Sequence, residues 1–516
     1  MAKRMISQLL VLTVLIVSMA ACSKQTEYTN VIPAKATALV SIDVKSLAEK
    51  AGLNDKENEA MKEKMLNAFK SSMTAVTFQQ LEKIIKNPNE SGIDMRSPIY
   101  FFTDSSLGFS GAMVAKISDE ESLKTSLDVM AKEQICEPVA ETNGINFTVA
   151  GNTLLAFNPS TILIVETGGG TQLEEAKTTI TTLMKQTADN SISKTNIFKK
   201  MKEHKGDILF FGSMSALPDF YIQQIQHGLA GKIKLEDISA VGSLSFEKGK
   251  IVGKIESYTD NEELKALIKK QEKTIQKINE SFLKYFPANT LAFLNVGING
   301  NELYNMLLEN EDFKNNSSIA RGAQVKELFS SFEGDISVGL LNVTMNSAPT
   351  FLAYADVKDG KALDAIYKDK QNLGLSNQYD ILQLGKDEYV LKGVGTNVFF
   401  GIKNKQMYAT NDELVYKNIE KTADKSIKST AYASDMKGKS GFFVINVEAI
   451  LELPVVKMVV GFGGEEATMY MNLASKISYL SASSEGQVSE IDLCLKDKNV
   501  NALKQIVDFA KQFAGM

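Results

Sequence analysis

The chain has 516 residues, with 57 lysines and arginines against 62 aspartates and glutamates, for a formal net charge of −5. Hydrophobic content of 44% and charged content of 23% are those of a soluble globular protein, and the length suits two or more domains. No basic block is present to neutralise phosphates, which argues against nucleic acid as a partner; two separated histidines, His204 and His227, argue against a zinc site; and the lack of tryptophan argues against a sugar-stacking surface.

Lys3 and Arg4 open the chain with positive charge. An apolar run follows from Leu9 to Val17, broken only by Thr13, and then come the small residues Ser18, Ala20 and Ala21. That order is a secretory signal over residues 1–21, and the run is too short for a membrane span, which takes about 20 apolar residues. Met19-Ala20-Ala21-Cys22 resembles the lipobox of bacterial lipoproteins, with Met where that family prefers Leu. The resemblance implies cleavage after Ala21, a diacylglyceryl thioether on Cys22 as the lipid attachment, and acylation of the new amino terminus. The mature chain would then carry −7, since Lys3 and Arg4 leave with the signal. Ser23 to Asn30 (SKQTEYTN) is polar and lacks apolar periodicity, so residues 22–31 read as the lipidated cysteine and a tether. Eight extended residues reach under ~30 Å, which keeps the body close to a membrane.

The body opens with Ile32-Pro33-Ala34, then a strand at Thr37–Ile42 and a helical segment at Leu47–Lys50. Met61, Met65, Phe69 and Met73 recur every four residues along one helical face, a core stripe in the simplest reading. Ile99–Phe102 and Ile162–Val165 read as buried strands, and Ala240–Phe246 with Lys250–Ser257 as a hairpin around Glu247-Lys248-Gly249. Phe286-Pro287-Ala288 then repeats the opening, with a strand at Leu291–Val296 and a helical segment at Glu302–Asn305.

Further matches keep this order. Asp119 and Leu123 pair with Asp359 and Leu363; Met201, Gly206 and Ile208–Phe210 with Met436, Gly441 and Phe443–Ile445; Ile238 and Leu264 with Ile477 and Leu503. Each match alone is weak, but the ordered series with near-constant spacing predicts an internal duplication, residues 32–283 and 284–516. Hairpins mixed with helices predict an α+β fold: two tandem copies of a mainly antiparallel sheet, with helices packed on one face.

Candidate chemistry is sparse. Cys136 and Cys494 read as two isolated thiols, Cys494 buried in a strand, though an oxidising compartment would allow them to pair. Gly168-Gly169-Gly170 lacks the lysine and serine or threonine of a phosphate loop, and Gly461-Phe462-Gly463-Gly464 reads as a flexible loop. Gly212-Ser213-Met214-Ser215-Ala216 lacks the second glycine of a nucleophile elbow. Acidic pairs such as Glu174-Glu175 and Glu465-Glu466 read as solvated faces. No catalytic, cofactor-binding or metal-ligating residue is assigned, and no cofactor is expected.

The lipobox, the short tether, the Ile32-Pro33-Ala34 opening and the duplication together resemble a family of Bacteroidales lipoproteins catalogued as a domain of unknown function. The resemblance implies residence in the cell envelope, outside the cytoplasm, and an α+β repeat. The functional expectation is a membrane-anchored, non-enzymatic binding module using the cleft between the copies, its partner an envelope component or a small ligand. The alternatives are an envelope hydrolase whose carboxylates only the fold brings together, and a purely structural envelope protein.

Overall fold

The computed structural model describes residues 27–53, 59, 63, 66, 70, 74–104, 106–109, 111–167, 171–217, 220, 234, 237–309, 323–345, 347–368, 370, 379–393, 395 and 397–513. Residues 1–26 with Cys22, the stripe of Met61, Met65, Phe69 and Met73, Gly168-Gly169-Gly170 and His227 lie outside the described residues. The chain has an α+β fold and divides into two compact units: Met1–Gln224, Lys234–Tyr258 and Lys498–Met516 form the first, Ile225–Ile233 and Thr259–Asp497 the second.

The described strands of the first unit are β1 (Ala38–Ile42), β2 (Ile99–Thr103), β3 (Ala112–Lys116), β4 (Ala140–Thr142), β5 (Ile145–Ala150), β6 (Thr153–Phe157), β7 (Thr161–Glu166), β8 (Ile208–Ser213), β9 (Ser239–Glu247) and β10 (Lys250–Tyr258). All pair antiparallel, in the order β4-β5-β6-β7-β3-β2-β1-β8-β9-β10. Its helices include α1 (Val44–Lys50), α2 (Ala75–Lys86), α3 (Glu120–Lys132), α4 (Thr171–Met184) and α5 (Asn196–Glu203).

Strand alternation sends side chains to two faces. Leu39, Tyr100, Phe102, Val114, Leu163 and Phe211 meet Ile180 of α4 and Phe198 and Met201 of α5 on one face. Met113, Ala115, Leu155 and Ile162 meet Leu123 and Leu127 of α3 on the other. The helices therefore cover both faces of this sheet, not one. The reason lies in the central strands: Ala112 to Ala115 and Ile162 to Leu163 are buried consecutively, as apolar runs must be when both faces are covered. Each large apolar side chain so buried contributes about 1.5–3 kcal/mol.

The second unit contains α6 (Glu262–Glu272) and then β11 (Ala292–Asn299), β12 (Phe332–Asn342), β13 (Thr350–Val357), β14 (Asp380–Gly385), β15 (Glu388–Lys392), β16 (Asn397–Lys403), β17 (Gln406–Thr410), β18 (Gly441–Asn446), β19 (Ile477–Glu485) and β20 (Val488–Leu495). A two-residue strand, Ile275–Gln276, pairs with the end of β11. The order is β14-β15-β16-β17-β13-β12-β11-β18-β19-β20, again antiparallel throughout, and each strand stands where the strand numbered ten lower stands in the first unit. Its helices include α7 (Gly300–Leu307), α8 (Ala323–Ser331), α9 (Lys361–Lys368), α10 (Glu413–Lys417), α11 (Val447–Leu451), α12 (Pro454–Phe462) and α13 (Gly464–Ala474). Phe282, Phe286, Phe293, Tyr354, Tyr408 and Phe442 dominate its core.

Small details agree between the units. Pro33 bridges to Ser191, and Pro287 bridges to Ser426. The isoleucine after each serine donates its N–H back to the opening segment, Ile192 to the Ile32 carbonyl at 2.9 Å and Ile427 to the Phe286 carbonyl at 3.0 Å. Met201 and Met436 are both fully buried. Asp119 accepts N–H bonds from Glu121 and Ser122 at 3.0 and 3.1 Å, and Asp359 accepts one from Lys361 at 3.0 Å.

Three expectations are corrected. The stretch read as a tether is folded from Glu27: a 3-10 helix spans Glu27–Val31, and Tyr28 is buried with its hydroxyl donating to the Pro98 carbonyl at 2.8 Å. The glycines at 461–464 do not form a loop, because Gly461 and Phe462 complete α12 and Gly464 begins α13. The last helix, α14 (Ala502–Phe513), is part of the first unit, whereas α6, which follows the first unit's β9–β10 hairpin, is part of the second.

Candidate functional site

Two helices of the first unit shape an apolar space against the sheet. Thr74 caps α2 by accepting the Thr77 N–H at 3.4 Å, and Leu81, Ile84 and Ile85 then fall on one helical face. Asp119 caps α3, which presents Leu123 and Leu127 four residues apart. Between these faces and the sheet lies a chamber of about 90 Å³, lined chiefly by Leu81, Ile84, Met113, Leu127, Leu155 and Ile162.

The polar groups at its edge already have partners. The Gln80 amide donates to Ser126 Oγ at 3.1 Å, Ser126 Oγ donates to the Ser122 carbonyl at 3.0 Å, and Thr77 Oγ1 donates to Glu133 Oε1 at 2.8 Å. A space with apolar walls and satisfied rim groups offers water little, and dry cavities of the order of 150 Å³ accept a ring the size of benzene. On the same sheet, Val40, Phe101 and Met113 stand in register across β1, β2 and β3. They line an open groove of about 340 Å³ in which Phe101 remains 41% exposed. Met113 lines both spaces.

The residues singled out in the sequence are not drawn to this place. Cys136 and Cys494 are both buried, in different units, with no disulfide between them. Burial pushes the Cys136 thiol upward, against activation as a nucleophile. His204 ends α5, and its Nε2 lies 3.5 Å from Glu256. Ser213 caps the turn after β8 by accepting the Ser215 N–H at 3.2 Å, a local structural task. Glu174 and Glu175 are exposed, and Glu174 pairs with Lys177 at 2.8 Å. Among the described residues there is no group of three or more His, Cys, Asp or Glu placed to hold a metal ion.

A hydrolase would need convergent acids, and Asp335 and Asp356 in the second unit come close together. Burial, with the negative charge of Asp356 added, raises the carboxyl of Asp335 above its ordinary range. Both oxygens of Asp335 nevertheless serve the turn at 279–280, accepting the N–H groups of Asn279 and Glu280 at 2.9 Å each. Asp356 Oδ2 accepts the Asp335 N–H at 3.2 Å and the Asn279 amide at 3.1 Å. This pair is a clasp on the backbone.

The chamber was not legible in the sequence as a site. Its signals were the doubly apolar strands β3 and β7 and two amphipathic helices, which read equally as core. A family model described as "Domain of unknown function (DUF4836)" matches residues 28–503. No curated protein matches the chain. Among solved structures, crystal form I of TP0453 is similar over 49% of this chain and 87% of its own, at 10% identity and a TM-score of 0.26. Crystal form IV of TP0453 is similar over 45% and 81%, at 11% identity and a TM-score of 0.26.

Proposed function

The chain belongs to the DUF4836 family, a domain of unknown function, and from that premise we propose that it is a lipid-anchored binding module of the cell envelope, built from two copies of one α+β unit, that takes an apolar ligand. The observation that carries the reading is the apolar chamber beneath α2 and α3, which shares Met113 with an open apolar groove. Small-molecule sites are concave and mostly apolar, with few polar groups. The duplication is supported by the shared strand order and by the Pro33–Ser191 and Pro287–Ser426 bridges. The anchor is supported by the signal and the Ala20-Ala21-Cys22 sequence, which suit Cys22 as the lipid attachment.

The ligand reading is tested with a dansyl-labelled fatty acid titrated into the purified protein. Saturable binding is expected, weakened roughly tenfold, or ~1.4 kcal/mol, by Leu127→Phe, which fills the chamber. Binding of equal strength in that variant would place the ligand elsewhere and overturn the assignment. The anchor is tested separately by metabolic labelling with a fatty-acid analogue. Label on the wild type and none on Cys22→Ala is expected; an unlabelled wild type would sink it.

A further inference from the structure

Two consecutive helices of the second unit leave apolar side chains unburied. α12 (Pro454-Val-Val-Lys-Met-Val-Val-Gly-Phe462) contains a single charge, Lys457, yet none of its residues is buried. Val459 is 61% exposed and Phe462 is 86% exposed, and on α13 Tyr470 is 58% and Leu473 46% exposed. A helix apolar around most of its circumference ordinarily sits in a core or in lipid. A contiguous apolar patch left in the open marks an interface. The connection is bare as well: Gly461 and Gly464 have open space where a Cβ would stand, and Phe462 is the large side chain between them.

We propose that the α12–α13 segment is a membrane wedge, which seats Phe462, Val459, Met458 and Tyr470 in the interface of a lipid bilayer. The choice of lipid over protein rests on the anchor reading in the preceding section. With Cys22 acylated, only residues 23–26 lie between the lipid-bearing residue and the 3-10 helix at Glu27–Val31, at most ~13 Å of chain. The bilayer is then the apolar phase constantly at hand.

The dimensions fit insertion into the interface. α12 and α13, of 9 and 11 residues, are about 14 and 17 Å long, half of the ~30 Å hydrocarbon thickness. Among the described residues no helix is long and apolar enough to cross a membrane. An apolar helix face buried ~5–10 Å at the headgroup boundary is how interfacial helices bind. Tyr470 brings the amphipathic ring that favours such a layer.

The experiment exploits the absence of tryptophan from the natural chain, so that Phe462→Trp provides the sole tryptophan emitter. It is made in the mature chain carrying Cys22→Ala, where no acyl chain contributes, and mixed with phosphatidylcholine vesicles. The expected results are a blue-shifted emission and quenching by lipids brominated near the headgroup end of the acyl chain. Leu414→Trp, at a position 71% exposed in the same unit, stays unshifted. Phe462→Ser is expected to lower flotation with vesicles by roughly tenfold or more while leaving the circular dichroism spectrum unchanged. Emission that does not move with vesicles overturns the wedge. So does a blue shift without vesicles that grows with protein concentration, since a second copy would then be covering α12 and α13. A vesicle-dependent shift supports the wedge even if Cys22 proves unlabelled, so failure of the anchor and failure of the wedge are distinguishable.

Discussion

At the scale of single residues, buried carboxylates do the most specific work in the first unit. Asp207 is 3% exposed and accepts both Lys50 Nζ contacts at 2.7 Å, the Ser46 hydroxyl at 2.5 Å and the Phe246 N–H at 2.7 Å, tying α1 to β9. Asp207→Ala leaves the Phe246 N–H and the Lys50 ammonium without their partner and should cost about 3 kcal/mol in urea unfolding. Asp94 makes a prediction about acid. Burial works to raise its carboxyl, but hydrogen bonds from Arg96 and Lys116 outweigh that and hold it below the ordinary carboxylate range. Its stabilising contribution is therefore complete above the unfolded carboxylate value near ~4 and fades as pH falls through the lower folded value. The urea midpoint of Asp94→Asn should lie below that of the wild type at neutral pH, and the gap should narrow toward pH ~2. Asp335 has the opposite sign: its raised carboxyl subtracts stability as pH rises above ~4. The Asp119 and Asp359 caps were legible in the sequence because their partners are two or three residues away. Asp207 was not, because Lys50 is 157 residues distant.

At the scale of elements, strand packing around Gly242 is the sharpest constraint. This residue of β9 faces Phe210 of β8, and a Cβ here would stand 2.2 Å from the Lys254 carbonyl oxygen and 2.6 Å from the Phe210 ring. Gly242→Ala must push apart β8, β9 and β10 and should lower stability by roughly 2–3 kcal/mol, read as a lowered urea midpoint. The sequence announced the hairpin that contains this glycine, since apolar strands flank Glu247-Lys248-Gly249 and Gly249 takes the positive φ the turn needs. It also announced the Pro33 and Pro287 openings, because proline and short apolar runs are local signals. The glycines at 461, 463 and 464 misled for the complementary reason. Glycine ordinarily punctuates a chain, and here helix runs almost to the turn on either side. Helices on both sheet faces were likewise hidden, because whether a short apolar strand is covered once or twice is decided by segments far away in the chain.

At the scale of the molecule, the ownership of the closing helices is the decisive feature. α14 is part of the first unit, where Asn501 bridges to Lys248, the Gly249 N–H donates to the Val500 carbonyl at 2.9 Å, and the Asn501 amide donates to the Phe246 carbonyl at 2.9 Å. α6 is part of the second unit, where the Asn299 N–H donates to the Thr274 carbonyl at 2.9 Å just past its end. Ending the chain at Asp497 should therefore weaken the unit at the opposite end of the sequence. Amide exchange in β9 and α1 is expected to quicken about a hundredfold, or ~2.8 kcal/mol, with far less change in β12 and β13. Equal loss in both units would contradict this arrangement.

The same ownership has a meaning in time. A ribosome makes Ala38 long before Ala502, so the first unit waits, with its α14 seat empty, while the residues of the second are made. A product cut short by a premature stop can complete much of the second sheet and still lack the piece that closes the first. Its unfilled seat would be open to quality-control proteases. The first unit thus closes only after the chain of the second has been made.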